Sequence, residues 1–175
     1  MLVLVFGLAG CESRTDKSEG TVLLSVSDFD GLPTQVSVNA SAAAGLVTIE
    51  EVTIQNVPKQ PGGATSSLMN VEMSSYEVLY SRADTGTRLP APMVRNIFGV
   101  VPVGGSETYE NLPILAPDQL DAPPLSDLLF VNGGFDRETG AQLVKLNISL
   151  RFFGRTLSGD EISSAPAAFT VDFVP

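Results

Sequence analysis

The sequence predicts an all-β domain built as an antiparallel sandwich of two sheets, with one long connection that carries a short helix. About seven segments alternate apolar and polar residues with a period of two, Gly, Pro and Asp turns separate them, and helical periodicity is almost absent. Of the 175 residues, 43% are hydrophobic, and this length suits one sizeable core rather than two. We therefore expect a single domain over residues 21–175.

Alternation of apolar and polar residues predicts the strands in the first half of the domain. They lie at 21–26, 36–40, 46–57 and 71–80. In the last of them, Val71 and Met73 have the opposite parity to Tyr76, so the alternation must slip between them. A bulge at Ser74 and Ser75 would produce this slip.

The second half of the domain is predicted to contain a hairpin and two further strands. An apolar run at 97–103 and a strand at 107–115 would form the hairpin, joined by two glycines. In the clearest strand of the chain, at 144–153, even-numbered residues such as Ile148 face the core and odd-numbered residues such as Asn147 face solvent. A last strand at 169–173 closes the domain.

This pattern of strands resembles the immunoglobulin-like and fibronectin type III sandwiches that bacterial surface proteins carry. The resemblance implies two packed antiparallel sheets. The chain departs from the true immunoglobulin domain because it lacks the paired Cys and the core Trp. The order of the strands therefore stays open.

Residues 111–140 form the one long connection, which is rich in proline and too long for a simple turn. Its large apolar residues are Leu112, Ile114, Leu115, Leu120, Leu125, Leu128, Leu129 and Phe130. Ser126 could cap a short helix over 127–131, and a strand is the alternative. The segment either folds back as a lid over the core, which we favour, or presents the last five of these apolar residues to a partner.

Residues 1–10 have the features of an export signal. Their apolar run is far shorter than the roughly 20 residues needed to span a bilayer. It ends in Leu8-Ala9-Gly10-Cys11, which resembles the lipobox of bacterial lipoproteins. The resemblance implies cleavage before Cys11 and attachment of lipid to this residue, the only Cys in the chain. A buried Cys at the end of a short core strand is the structural alternative.

The residues around the lipobox give three further expectations. No Lys or Arg precedes Leu2, although the signals of this family begin with one, so we expect the start to be truncated. Residues 11–20 combine the lipidated Cys with a polar, charge-alternating tether, whose nine residues after the Cys span on the order of 16 Å as a coil. Glu12 follows the Cys where Asp would signal inner-membrane retention, which favours the outer membrane in a Gram-negative host.

Composition excludes several classes of function. The formal net charge of −10 opposes binding to phosphate backbones, so nucleic acid is not an expected partner. The chain has no His, which removes the Ser-His-Asp and Cys-His arrangements and His-based zinc sites. Phosphate-loop and dinucleotide-binding patterns are also absent from the sequence. We therefore predict that the protein is not an enzyme and that it uses no cofactor.

Four residues are weaker candidates for binding sites. Asp28 and Asp30 lie beside a Gly and could hold a cation, but a calcium loop would need an acid at position 39, where Asn39 stands. We therefore favour a turn and predict no metal site. Tyr109 and Phe153 are the aromatic residues that parity leaves outside the core, where they could stack on a sugar or lie partly buried.

The sequence predicts a lipid-anchored protein of the cell envelope that serves as a non-catalytic structural or interaction module. Its expected partners are membrane lipid, through acylated Cys11, and an envelope protein. The alternative is a module that binds a glycan or small ligand at the loop ends of the sandwich. An exposed aromatic row on one sheet would favour the glycan, and a pocket with two buried acids would favour an enzyme.

Overall fold

The computed structural model describes residues 20–175, and within this range the chain is mostly β, with 51% strand and 13% helix. The prediction of an all-β fold with two sheets is confirmed. Cys11, the export signal and the tether up to residue 19 lie outside the described residues.

Nine strands make up the two sheets of the described chain. They are β1 (Val22–Asp30), β2 (Gln35–Ser37), β3 (Val47–Pro58), β4 (Val71–Arg82), β5 (Met93–Val101), β6 (Ser106–Leu115), β7 (Val144–Thr156), β8 (Glu161–Ser163) and β9 (Ala167–Val174). Sheet A has the order β1-β3-β6, and sheet B has the order β2-β9-β7-β4-β5, with β8 also paired to β7. Every pairing is antiparallel except that of β2 with β9.

The helices are short. They are α1 (Val38–Ala44), α2 (Pro117–Leu120) and three single 3-10 turns at Ser67–Met69, Leu125–Leu128 and Phe130–Asn132. None of the helices in residues 20–175 is long and apolar enough to cross a membrane.

Parity along the central strands of sheet B agrees with the sequence. In β7, Leu146, Ile148 and Leu150 are fully buried, and the residues between them are partly exposed. In β4, the pairing register shifts between Met73 and Ser75 against both neighbouring strands. The predicted faces of β7 and the predicted bulge in β4 are therefore confirmed.

Two tyrosines of β4 connect sheet B to sheet A across the core. The Tyr76 hydroxyl donates to the carbonyl of Pro113 at 2.8 Å, and the Tyr80 hydroxyl donates to the carbonyl of Ile114 at 2.7 Å. Both acceptors lie in β6. Burial raises the pKa of Tyr76 to about 12, so its hydroxyl keeps the proton that it donates.

The predicted strand at 36–40 is wrong for most of its length. Only Val36 and Ser37 lie in a strand, and α1 begins at the next residue, Val38. The Ser37 hydroxyl accepts from the Ala40 N–H at the start of the helix, and Gly45 ends it with a φ of 83°. Three alternating residues are compatible with a strand or with a helix. Here the capping residue before a run of small residues, and the glycine after it, favour the helix.

The predicted hairpin at 97–115 is also wrong. β5 pairs with β4 and β6 pairs with β3, so the chain changes sheets between them. The turn is fixed to β3 instead, where the Asn56 N–H donates to the Gly105 carbonyl and the Gly104 N–H donates to the Asn56 carbonyl. Turn residues show that the chain reverses here, but they do not specify whether its two arms pair.

The long connection covers the core with helical turns. Leu120, Leu125 and Leu128 are buried in the same cluster as the strand residues, and Leu129 packs against it. These four side chains face the core, which corrects their use as partner-binding candidates. Of the five candidates, only Phe130 is exposed. Ser126 lies inside a 3-10 turn rather than at its cap.

Candidate functional site

We call the part of the long connection that covers the core, residues 117–129, the lid, and an exposed apolar segment follows it. We call residues 130–135 the distal tip. Phe130 is 71% exposed and the next residue, Val131, is 89% exposed. Phe135 at the other end of the tip is also an exposed hydrophobic residue. The tip therefore presents three large apolar side chains within six residues of chain.

Hydrogen bonds fix the distal tip to the lid and to α1. The Phe130 N–H donates to Asn39 Oδ1 at 3.1 Å, and the Asn132 side chain donates to the Ser126 carbonyl at 2.8 Å. Gly133 and Gly134 reverse the chain with φ values of 113° and 75°, which glycine adopts without strain. The apolar side chains are thus presented on a backbone that is held from both sides.

The distal tip and the N-terminal end of the described chain lie at opposite ends of β7. Gly20 is buried against Ile162 of β8, which pairs with the last residues of β7. Gly134 of the tip lies next to Pro175, which follows β9, and β9 pairs with the first residues of β7. Because β7 has 13 residues, the two ends are separated by about 40 Å.

A groove of about 690 Å³ crosses the outer face of sheet B. Phe98 and Phe153 line it together with polar residues that include Asn96, Arg155 and Ser163. The Phe98 side chain is 84% exposed. The bulge of β4 lies at this groove, because Met73, Ser74 and Ser75 also line it.

Phe153 therefore lies where a ligand-stacking residue would be useful. It is partly exposed, and the guanidinium carbon of Arg151 lies 5.9 Å from the centre of its ring. At this distance the guanidinium lies over the ring, so Arg151 already covers part of the surface on which a ligand would stack. Phe98 on β5 was not identified from the sequence, although its parity with Val94 and Val100 would have placed it on the outer face.

Tyr109 does not point away from the core, which corrects its use as a stacking candidate. Its ring packs against the hydrophobic core next to Gly99, and its hydroxyl is buried without a hydrogen-bond partner in the described part of the chain. Burial, and then the charge of Glu107, raise the pKa of Tyr109 to about 12. This side chain is not available to stack on a sugar.

Asp28 and Asp30 both lie on β1 and are exposed. The predicted turn begins only at Gly31, whose N–H donates to one Asp30 carboxylate oxygen at 2.8 Å, so the turn expected at Asp28 and Asp30 is corrected to a strand. Asp30 pairs with Glu51 on β3, and Glu51 pairs with Glu110 on β6, so three carboxylates stand in one row across sheet A. No group of three His, Cys, Asp or Glu within residues 20–175 is placed to hold a metal.

Charge is divided unequally between the two sheets. The three described strands of sheet A contain six carboxylates and no Lys or Arg. The strands of sheet B contain five Lys or Arg and four carboxylates. Several of these charges are paired, as in the cross-strand neighbours Glu77 and Arg151. Sheet A is therefore strongly negative, and sheet B is close to neutral.

A buried ion-pair network joins the β4–β5 loop to the long connection. Arg82 donates to Asp136 at 2.7 Å, and one nitrogen of Arg88 bridges Asp127 at 2.7 Å and Asp136 at 2.8 Å. The Asp136 side chain is fully buried, and those of Arg82 and Asp127 are nearly so. Glu138 extends the network by accepting the Thr87 and Arg88 N–H groups.

The fully buried acid of this network, Asp136, is held in its charged form. Burial alone would raise the pKa of Asp136, but hydrogen bonds from Arg82, the Glu138 N–H and the Thr139 hydroxyl lower it to about 2. A carboxylate with so many donors has no lone pair free for a substrate and does not carry a proton near neutral pH. Neither Asp127 nor Asp136 lines the groove on sheet B. The network therefore has the chemistry of a structural element rather than of a catalytic pair.

Comparisons of the chain with protein-family models, with curated proteins and with solved structures find no match. Within residues 20–175, the distal tip and the groove on sheet B are the two surfaces that we consider for binding.

Proposed function

We propose that this chain is a lipid-anchored, non-catalytic protein of the bacterial cell envelope that binds a partner protein through the distal tip. The observation that carries this function is the exposure of Phe130 and Val131 on a backbone held by Asn39 and the lid. An exposed aromatic residue on a preorganised loop loses little conformational entropy when a partner covers it.

The anchor is proposed from Leu8-Ala9-Gly10-Cys11. Gly20 lies at one end of β7 and the distal tip at the other, so a lipid on Cys11 would hold the first end near the membrane. The rest of the domain would act as a spacer, which we propose to be a sandwich of the immunoglobulin-like type. The tip would then lie at the end of the domain farthest from the anchor, where other envelope components can reach it.

Mass spectrometry and cell fractionation test the anchor. The mature protein should begin with an acylated Cys11 and should require detergent for extraction. The Cys11→Ala variant should be recovered in the soluble envelope fraction or as an unprocessed precursor. Complete extraction of the wild type without detergent would contradict the lipid anchor.

Photocrosslinking in living cells tests the distal tip. A photoreactive amino acid at Val131 should give a discrete adduct with one envelope protein. The matched control is Leu157, which is also an exposed apolar residue but lies in the turn before β8, at the other end of β7. Adducts of equal yield at both positions, or none at Val131, would contradict the assignment of the tip.

A glycan-binding function is the second candidate, because the groove on sheet B brings Phe98 and Phe153 together with amide, hydroxyl and charged groups. Aromatic rings pack on the apolar faces of sugars, and polar side chains bond to their hydroxyls. Phe153→Ala should then weaken binding of purified envelope polysaccharides in isothermal titration calorimetry. If the wild type gives no binding heat with these polysaccharides, the glycan function is wrong.

A further inference from the structure

We propose that the outer face of sheet B beside β5 rests on the phospholipid surface, with Phe98 inserted at the level of the headgroups. Because this contact presupposes the lipid anchor of the proposed function, acylation of Cys11 has to be measured separately. The lipid would thus be the first of two attachments, and the protein face would be the second.

The apolar part of this face consists of neighbouring side chains on β4 and β5. Phe98 is 84% exposed, Val94 is 63% exposed, and Val100 and Leu79 are also exposed. Val94 and Val100 pair with Glu77 and Glu72 on the outer side of β4. A bilayer interface is a medium in which such side chains lose contact with water while neighbouring polar groups stay hydrated.

The position of the N-terminal end places this face near the anchor. Gly20 packs on Ile162 of β8, and Glu161 and Ser163 of the same strand line the groove that contains Phe98. From Cys11 to Gly20 the chain advances nine residues, so the two residues are separated by at most about 30 Å. A membrane that holds Cys11 is therefore within reach of β8 and of the groove.

The distribution of charge also favours the outer face of sheet B for contact with the bilayer. Bacterial membranes contain anionic lipids, and the six carboxylates of sheet A oppose the approach of that sheet to an anionic surface. On sheet B, cross-strand pairing places Glu72 opposite Arg155 and Glu77 opposite Arg151. This face is close to neutral, so contact with the bilayer is opposed on one side of the domain only.

The edge strand β5 carries features that oppose pairing with another strand. Arg95 has the parity of the buried residues Met93 and Ile97 and yet is exposed, and the pairing register shifts between Asn96 and Gly99. A charge at a core-facing position and a bulge both disfavour addition of a strand to an edge. A flat lipid surface does not need the backbone groups of β5, whereas a second copy pairing edge to edge would need them.

Single-tryptophan fluorescence tests this contact, since the chain has no Trp of its own. The acylated full chain with Phe98→Trp is reconstituted into vesicles of phosphatidylethanolamine and phosphatidylglycerol. The matched control is Leu23→Trp, which is close to the tether in sequence but lies on the exposed side of sheet A. We expect a blue shift and quenching by doxyl-labelled lipids for Phe98→Trp, and neither effect for Leu23→Trp.

Each other result overturns the contact. Equal quenching at both positions would mean proximity caused by the tether alone, and quenching at neither would mean that the face stays in water. A blue shift of Phe98→Trp in the soluble Cys11→Ala background without vesicles, with a dimer in sedimentation velocity, would identify a second copy as the occupant. If mass spectrometry finds Cys11 unacylated, the lipid anchor is wrong, and the contact of sheet B with lipid has to be tested without it. The soluble variant is then mixed with the same vesicles, and absence of quenching removes the contact as well.

Discussion

At the scale of single residues, the Asp136 carboxylate is the centre of the buried ion-pair network. It accepts hydrogen bonds from Arg82, Arg88, Thr139 and the Glu138 N–H, and its side chain is fully buried. The Arg82 side chain is only 4% exposed, so its buried positive charge is compensated by the carboxylates of Asp136 and Asp84. Removing one member of such a network leaves an opposite charge buried without its partner.

The first prediction concerns the substitution Asp136→Asn. It should lower the free energy of unfolding by roughly 3 to 5 kcal/mol, because Arg82 and Arg88 lose a buried charged acceptor. Urea unfolding followed by circular dichroism measures the change. Asp121→Asn is the control, since Asp121 is exposed, and it should stay within about 0.5 kcal/mol of the wild type. Equal effects of the two substitutions would mean that the network does not stabilise the fold.

The second prediction concerns acid. The folded-state pKa of Asp136 is lowered to about 2, compared with about 3.9 for an Asp in an unfolded chain. A lowered pKa adds stability that is fully present above pH 4 and is lost as the pH falls toward 2, because the unfolded chain then takes up the proton more readily. The urea midpoint should therefore fall over this range. In Asp136→Asn the fall should be smaller, and an unchanged slope would contradict this assignment.

At the scale of secondary-structure elements, the sequence predicted what depends on alternation. The faces of β7 and the bulge of β4 follow from parity, because a strand buried on one side must place every second residue inward. Helix α1 and the separation of β5 from β6 do not follow from parity. The first depends on capping by Ser37 and Gly45, and the second depends on which sheet each strand joins, a choice made by distant residues.

The same reason limits prediction of the candidate sites. Exposure of Phe98 could have been predicted from the alternation of β5. Exposure of Phe130 could not, because Phe130 directly follows the core-facing residues Leu128 and Leu129. The ion pairs of Arg82 and Arg88 with Asp136 join residues 54 and 48 positions apart. No local pattern specifies such pairs, since only the tertiary fold brings the two segments together.

The third prediction concerns the row of carboxylates across sheet A. Like charges directly opposite each other on neighbouring strands destabilise a sheet, and Glu51 has one on each side, in Asp30 and Glu110. Glu51→Gln should therefore raise the free energy of unfolding by roughly 0.2 to 1 kcal/mol at low salt, and less at high salt. Glu72→Gln is the control. It should not stabilise the fold, because Glu72 stands opposite Arg155. A rise in both variants would show that net charge alone is responsible.

The fourth prediction separates the lid from the distal tip. Leu128 is fully buried and Val131 is 89% exposed, although only two residues lie between them. Leu128→Ala should cost roughly 2 to 5 kcal/mol, whereas Val131→Ala should change the free energy of unfolding by less than about 0.5 kcal/mol. Thermal unfolding of the two variants measures the difference. A large loss in Val131→Ala would mean that the tip belongs to the core and is not free to bind.

At the scale of the whole molecule, two directions organise the domain. Along β7, Gly20 lies at one end and the distal tip at the other, so the proposed lipid anchor and the proposed partner would be at opposite ends. Across the two sheets, the acidic face of sheet A is opposite the neutral face that carries Phe98. Such a domain would have a preferred orientation at an anionic surface. Turning it over would bring the carboxylates of sheet A toward the anionic lipids, and tilting it would remove the apolar side chains of sheet B from the surface.

The last prediction is that the two ends act independently. Cys11→Ala should release the protein from the membrane fraction and leave the photocrosslink at Val131 to its partner intact, provided that the variant is exported. Phe130→Ser should do the reverse. Because Phe130 is 71% exposed, this change should leave the melting temperature nearly unchanged while the crosslink at Val131 is lost and membrane attachment is retained. Fractionation and crosslink yield are measured on the same cells. If either substitution abolishes both properties in a protein that is still folded, the anchor and the tip form one functional unit, and the separation along β7 has no functional role.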